Sequence, residues 1–139
     1  MTTAAPLARF DVSADDIDRV VAVFYALIRA HDVLGPVFAA RIAAADWPAH
    51  EAKIAAFWRN AILREKSYSG NPMRVHVSTP EVQPEHFPLW LGLFAEVLKA
   101  ELPDLQARAW MELAHRIGEG FRTGLVAMRQ PKDQPPKLF

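Results

Sequence analysis

The chain has 139 residues, the size of one domain with interior enough to fold without disulfides or structural metal. Sixteen Lys plus Arg balance sixteen Asp plus Glu, so there is no electrostatic footprint of nucleic-acid or anionic-membrane binding. Cysteine is absent, which excludes disulfides, zinc–thiolate sites and cysteine nucleophiles together.

Taken in chain order, Met1 to Phe10 has no basic region followed by an apolar run, so no signal peptide is expected. Residues 1–12 read as a flexible segment and 13–129 as one domain. Ser13 is the expected N-cap of the first helix, with Asp15 and Asp16 in its first turn. Ile17, Val20, Val21, Phe24, Leu27 and Ile28 recur at helical spacing to about His31. Gly35-Pro36 punctuates the chain before a short helix carrying Val37, Phe38 and Ile42. Asp46 is the next expected N-cap, with Pro48 tolerated in the first turn. Ile54, Phe57, Trp58, Ala61 and Ile62 then form one helical face to about Lys66. From Ser67 to Val82, with Gly70-Asn71-Pro72 and Thr79-Pro80 inside, the chain reads as loop with a helical turn at Met73 to His76.

A further helix is expected from Pro84 to about Glu101, burying Leu89, Trp90, Leu93, Phe94, Val97 and Leu98. Pro103 opens the last helix, whose stripe of Leu105, Ala109, Trp110, Leu113, Ile117, Phe121 and Leu125 runs to about Met128. The tail 130–139 holds three prolines and reads as disordered. No strand pattern stands out, and no run of about 18 apolar residues predicts a membrane span. The expected class is all-α, and the default location is the cytoplasm.

Chemistry can sit on five histidines: His31, His50, His76, His86 and His115. Glu112-Leu-Ala-His115 matches half of a helical di-iron site, but no second Glu-x-x-His follows it. No phosphate-binding glycine loop, zinc-protease pair or serine elbow is present. His50 heads an otherwise apolar face with Ile54, Phe57 and Ala61. Tyr25 adjoins the first stripe, and Trp90 lies within the stripe of the helix expected from Pro84. Taken one at a time, each of these three fits a plain core or boundary role as well as a functional one.

Together they resemble the third group of truncated haemoglobins. The similar stretch runs from about Val21 to Leu98. It reads VFYALIRAHDVLGPVF, then WPAHEAKIAAFW, then YSGNPMRVHVSTPEVQPEHFPLWLGLFAEVL. The glycine pairs typical of the other two groups are missing between Ala43 and Pro48. The resemblance implies a truncated globin fold, a 2-over-2 helical sandwich around haem b (iron protoporphyrin IX). It places the proximal iron ligand at His76 and the distal residues at Tyr25, His50 and Trp90. Phe38 would lie on the haem face. Phe24, Ile54, Phe57, Trp58, Tyr68 and Met73 would form the pocket, and Lys53 or Arg74 would meet a propionate. His86 shares a predicted face with Trp90 and is a second candidate for the proximal role, although motif order favours His76.

The implied function is binding of oxygen, nitric oxide or carbon monoxide at a pentacoordinate iron. Dioxygenase- or peroxidase-like redox chemistry with a reductase partner is compatible with it. Nucleic-acid and membrane partners are not expected. Two other readings stay open on the residues alone: a helical interaction module without haem, and a non-haem metal-binding helical protein.

Overall fold

The computed structural model describes residues 9–65, 70, 72–77, 79 and 81–129. Among them the only regular structure is helical: α1 (Ala14–Ala30), α2 (Leu34–Ala39), α3 (Trp47–Leu63), α4 (Pro72–Val77), α5 (His86–Glu101) and α6 (Asp104–Met128), with one 3-10 turn at Ala44–Asp46. No described helix is long and apolar enough to cross a membrane.

Ser13 starts α1 as expected. Its hydroxyl accepts from the Asp16 backbone N–H at 3.0 Å, and the Asp16 carboxylate accepts from the Ser13 N–H at 2.9 Å. This reciprocal box satisfies two N–H groups that the helix cannot satisfy itself. The helix then buries Ile17, Val20, Val21, Phe24, Tyr25 and Ile28. Leu27, expected on that stripe, is exposed.

Several expected boundaries shift. Residues 9–12, part of the segment expected to be flexible, carry contacts to α3. The Arg9 N–H donates to the Ile62 carbonyl at 2.9 Å, its guanidinium donates to Ala61 O, and Val12 is fully buried. Gly35 and Pro36 do not break the chain but sit inside α2. A first turn needs no intrahelical N–H donor, so proline costs nothing there. Ile42 lies beyond α2, although its N–H still bonds Phe38 O. Asp46 occupies the N-cap position of α3 without a side-chain cap bond. That helix ends at Leu63, where Arg64 turns left-handed with φ 64°. Pro84 belongs to a turn ahead of α5, which starts at His86. Pro103 is the N-cap of α6 and not its first residue. Leu89 and Leu105, expected to be buried, face solvent.

The helices pair as α1 with α3 and as α5 with α6, and α1 crosses α5. This is the 2-over-2 sandwich. Aromatic rings fill the crossing. Phe94 of α5 lies 4.9 Å from Phe24, 5.6 Å from Trp58 and 5.5 Å from Trp110, ring centre to ring centre, so one side chain joins all four long helices. The short α2 and α4 pack on α1 and α6 respectively, and between the two layers they leave an apolar cleft.

Candidate functional site

The cleft has a volume of about 420 Å³ and takes residues from all six helices. That size falls in the roughly 300–1,000 Å³ range of cofactor and small-molecule sites. Its two ends carry different chemistry.

One end is built on α1, α2, α3 and α5. Tyr25 is buried on α1, with its ring centre 5.7 Å from the His50 imidazole of α3 and 5.8 Å from Phe38 of α2. Burial pushes the Tyr25 hydroxyl well above its ordinary range, while a side-chain hydrogen bond with Trp90 works the other way. Tyr25 is therefore a neutral O–H at any physiological pH. Indole can only donate, so Trp90 does not take up the Tyr25 proton. His50 is held below the ordinary histidine value by burial and then by Lys53, which keeps it neutral. Its Nε2 is buried with no hydrogen-bond partner. A buried polar atom without a partner costs roughly 1–3 kcal/mol, and here it lies on the cleft wall, where a bound molecule could satisfy it.

The other end is built on α4, α5 and α6. The His76 ring of α4 lies 5.0 Å from Phe121 of α6 and 5.6 Å from Phe87 of α5. Its Nδ1 is 2.6 Å from the Pro72 carbonyl oxygen. A carbonyl only accepts, so Nδ1 carries the proton and Nε2 keeps its lone pair. Burial lowers the His76 pKa, opposed by the Pro72 bond and assisted by Arg129, so the ring is a neutral base. His86 also lines the cleft but has the reverse tautomer. The Gln83 backbone N–H donates to its Nδ1 at 3.0 Å, so its proton resides on Nε2 and no lone pair is left for a metal.

No family model matches the chain. It is 31% identical over 116 residues to the group 3 truncated haemoglobin of Campylobacter jejuni, covering 82% of this chain and 91% of that protein. The chain belongs to the group 3 truncated haemoglobins. The crystal structure of the group III truncated haemoglobin from Campylobacter jejuni superposes with a TM-score of 0.80 at 28% identity, over 90% of this chain and all of that one. As a globin, this truncated haemoglobin is implied to carry a haem.

The residues present fit such a group. The walls are largely apolar, a single imidazole at one end offers Nε2, and the neutral donors collect at the other. Two exposed cations, Lys53 and Arg41, lie on the cleft lining where carboxylates could reach them. Ile54, Phe57 and Trp58 of α3 line the same cleft. Phe24 backs the wall, 5.0 Å from both Tyr25 and Trp90, without lining it. Met73 and Arg74 belong to α4, but their side chains lie outside the described residues, as does all of Tyr68.

Arg41 was missed from the sequence. It follows α2 in an alanine-rich stretch with no motif, and it pairs with Glu81 at 2.9 Å. Ile117, Gly118 and Phe121, the α6 wall of the cleft, fell within or beside the expected core stripe, where nothing distinguishes packing from lining. Glu112 and His115, the half-match to a di-iron site, are exposed, and the described residues hold no group of three metal-ligating side chains.

Proposed function

We propose that this truncated haemoglobin binds a diatomic ligand at the iron of haem b, with His76 as the one protein ligand and Tyr25, Trp90 and His50 facing the bound gas. The observation that carries this reading is the opposite chemistry of the two cleft ends. His76 alone combines a burial-neutral imidazole, a fixed Nδ1–H and a lone pair on Nε2. His86 is tied up as an acceptor for Gln83.

The haem would supply an iron that takes up a small gas and makes it partly negative. What the chain supplies follows from its own atoms. The Pro72 carbonyl orients the His76 ring, and Phe87 and Phe121 hold it from two sides. Trp90 and Tyr25 both line this end of the cleft with neutral donors. Neutral His50 can turn a ring nitrogen toward a ligand or toward water, and so adjusts access. The apolar lining excludes water, which raises the value of each donor.

A donor-rich, dry wall favours retention of oxygen over its delivery. It therefore suits redox turnover of nitric oxide or peroxide, fed by a reductase in the cytoplasm. Optical spectra of the ferric, ferrous and carbon-monoxide forms test the reading. A strong Soret band that moves on reduction and again with carbon monoxide is expected. A chain that takes up no added haem, and shows no such band, contradicts it.

A further inference from the structure

Arg129, the residue after the last turn of α6, is far in sequence from the cleft, yet its guanidinium reaches three backbone carbonyls around α4. Its Nη1 donates to Val82 O at 2.6 Å, and its Nη2 donates to His76 O at 3.0 Å and to Thr79 O at 2.8 Å. Two of these oxygens already serve the local chain. The Thr79 N–H bonds His76 O at 3.2 Å, and the Val82 N–H bonds Thr79 O at 3.1 Å. A carbonyl oxygen has two lone pairs, so Arg129 takes the second of each.

The segment needs such a clasp. α4 has six residues, far too few to hold a helix alone. Its orphan carbonyls gather at the end where His76 stands, and a cation is favourable there. Two nitrogens of one rigid guanidinium share these three acceptors, whereas a lysine ammonium carries its three donors on a single nitrogen, so lysine is no equivalent. From the same helix Phe121 presses on the His76 ring, so α6 fixes both the ring and the backbone that carries it.

We propose that Arg129 is a positioning residue for the iron ligand: its fork on the His76, Thr79 and Val82 carbonyls sets where the His76 imidazole stands. This rests on the reading of His76 as the ligand. It involves no contact of Arg129 with haem or gas. Loss of the fork removes three ties between the end of α6 and the chain from His76 to Val82, and the imidazole samples a spread of positions.

The test uses the haem-loaded full chain and the variants Arg129→Met, Arg129→Lys, Arg122→Met and His76→Gly. Arg122 is the control, a cation on the same helix whose ion pair is with Glu119. The readouts are the iron–imidazole stretching band of the ferrous form and the rate of haem transfer to an excess of apo-globin. Arg129→Met should shift or broaden the band and speed haem loss by about tenfold or more. Arg129→Lys should recover only part of this, and Arg122→Met should match wild type.

Full recovery in Arg129→Lys, or equal changes in Arg122→Met, would show a general charge effect and overturn the proposal. So would an unchanged band and unchanged transfer in Arg129→Met, provided His76→Gly has lost the band. If His76→Gly keeps the band, the ligand is another residue and both readings fall. Should Arg129→Met not fold, the Arg129→Lys band alone decides: a shifted band supports the fork, and an unshifted one contradicts it.

Discussion

Tyr25 owes its usefulness to burial. A hydroxyl that cannot ionise keeps its proton to donate. Oxygen becomes partly negative on iron and carbon monoxide does not, so the donor role proposed for Tyr25 would discriminate between them. A hydrogen bond to a charged partner contributes roughly 1.5–3 kcal/mol, and about 1.4 kcal/mol is tenfold in affinity. Tyr25→Phe should therefore speed oxygen release by about ten- to a hundredfold in stopped-flow measurements and leave carbon-monoxide release nearly unchanged. Trp90→Phe should act in the same direction without adding fully, because the two donors would share one ligand. Parallel shifts for both gases would mean that only bulk was altered. His50 gives a prediction for the haem-free protein. Its folded pKa lies below the unfolded value of about 6.5, so the unfolded chain takes up the proton first as pH falls. Its contribution to stability is therefore present above about pH 6.5 and is lost as pH falls below it. His76 acts with the same sign. Urea midpoints of the apo-protein should drop between neutral pH and about pH 5, and by less in His50→Gln; an identical drop in both would contradict the pairing of burial with neutrality. Tyr25, His50 and Trp90 could be named from the sequence only through the resemblance to the truncated haemoglobins, since each taken alone fits a core or boundary role. The tautomers that separate His76 from His86 could not, since each depends on one backbone group brought close by folding.

Long helices were legible because their apolar period repeats over several turns, as α1 and α6 show. Short ones were not. Nothing in the six residues of α4 favours a helix strongly, and its form depends on packing against α6. Gly35-Pro36 reads as a break because both residues usually are; here the pair lies in the one turn that tolerates them. Gly35 also has a steric reason. A Cβ at this position would stand 2.8 Å from the Arg29 carbonyl oxygen, a backbone atom that cannot swing aside. Its own N–H bonds His31 O at 2.9 Å, which closes the corner between α1 and α2. That corner aims Phe38 at Tyr25 and His50. Gly35→Ala should cost about 1–3 kcal/mol in denaturant unfolding, as overpacked sites do, and should loosen the Phe38 wall. A variant as stable as wild type would show that α2 can move away freely. The start of α5 was placed early for a related reason: Pro84 could begin a helix, but the chain makes a turn there and His86 takes the Gln83 N–H instead.

At the scale of the molecule, the two helix pairs meet through one aromatic cluster, and the cleft opens beside it. Phe94 ties α1, α3, α5 and α6 together and packs on Trp90 and Phe24, so the polar wall of the site is backed by the aromatic cluster of the core. The cleft is an apolar volume of about 420 Å³ that a haem would fill. Binding to the folded state alone stabilises it, by about 4 kcal/mol when free haem exceeds its dissociation constant roughly a thousandfold. The holo-protein should melt well above the apo-protein in calorimetry, and equal melting temperatures would argue against haem as the native cofactor. The ferrous spectra of His76→Ala and His86→Ala separate the two candidate iron ligands. With His76 as the ligand, the five-coordinate iron–imidazole signature is lost in His76→Ala and kept in His86→Ala; its loss in His86→Ala alone would put the iron on His86.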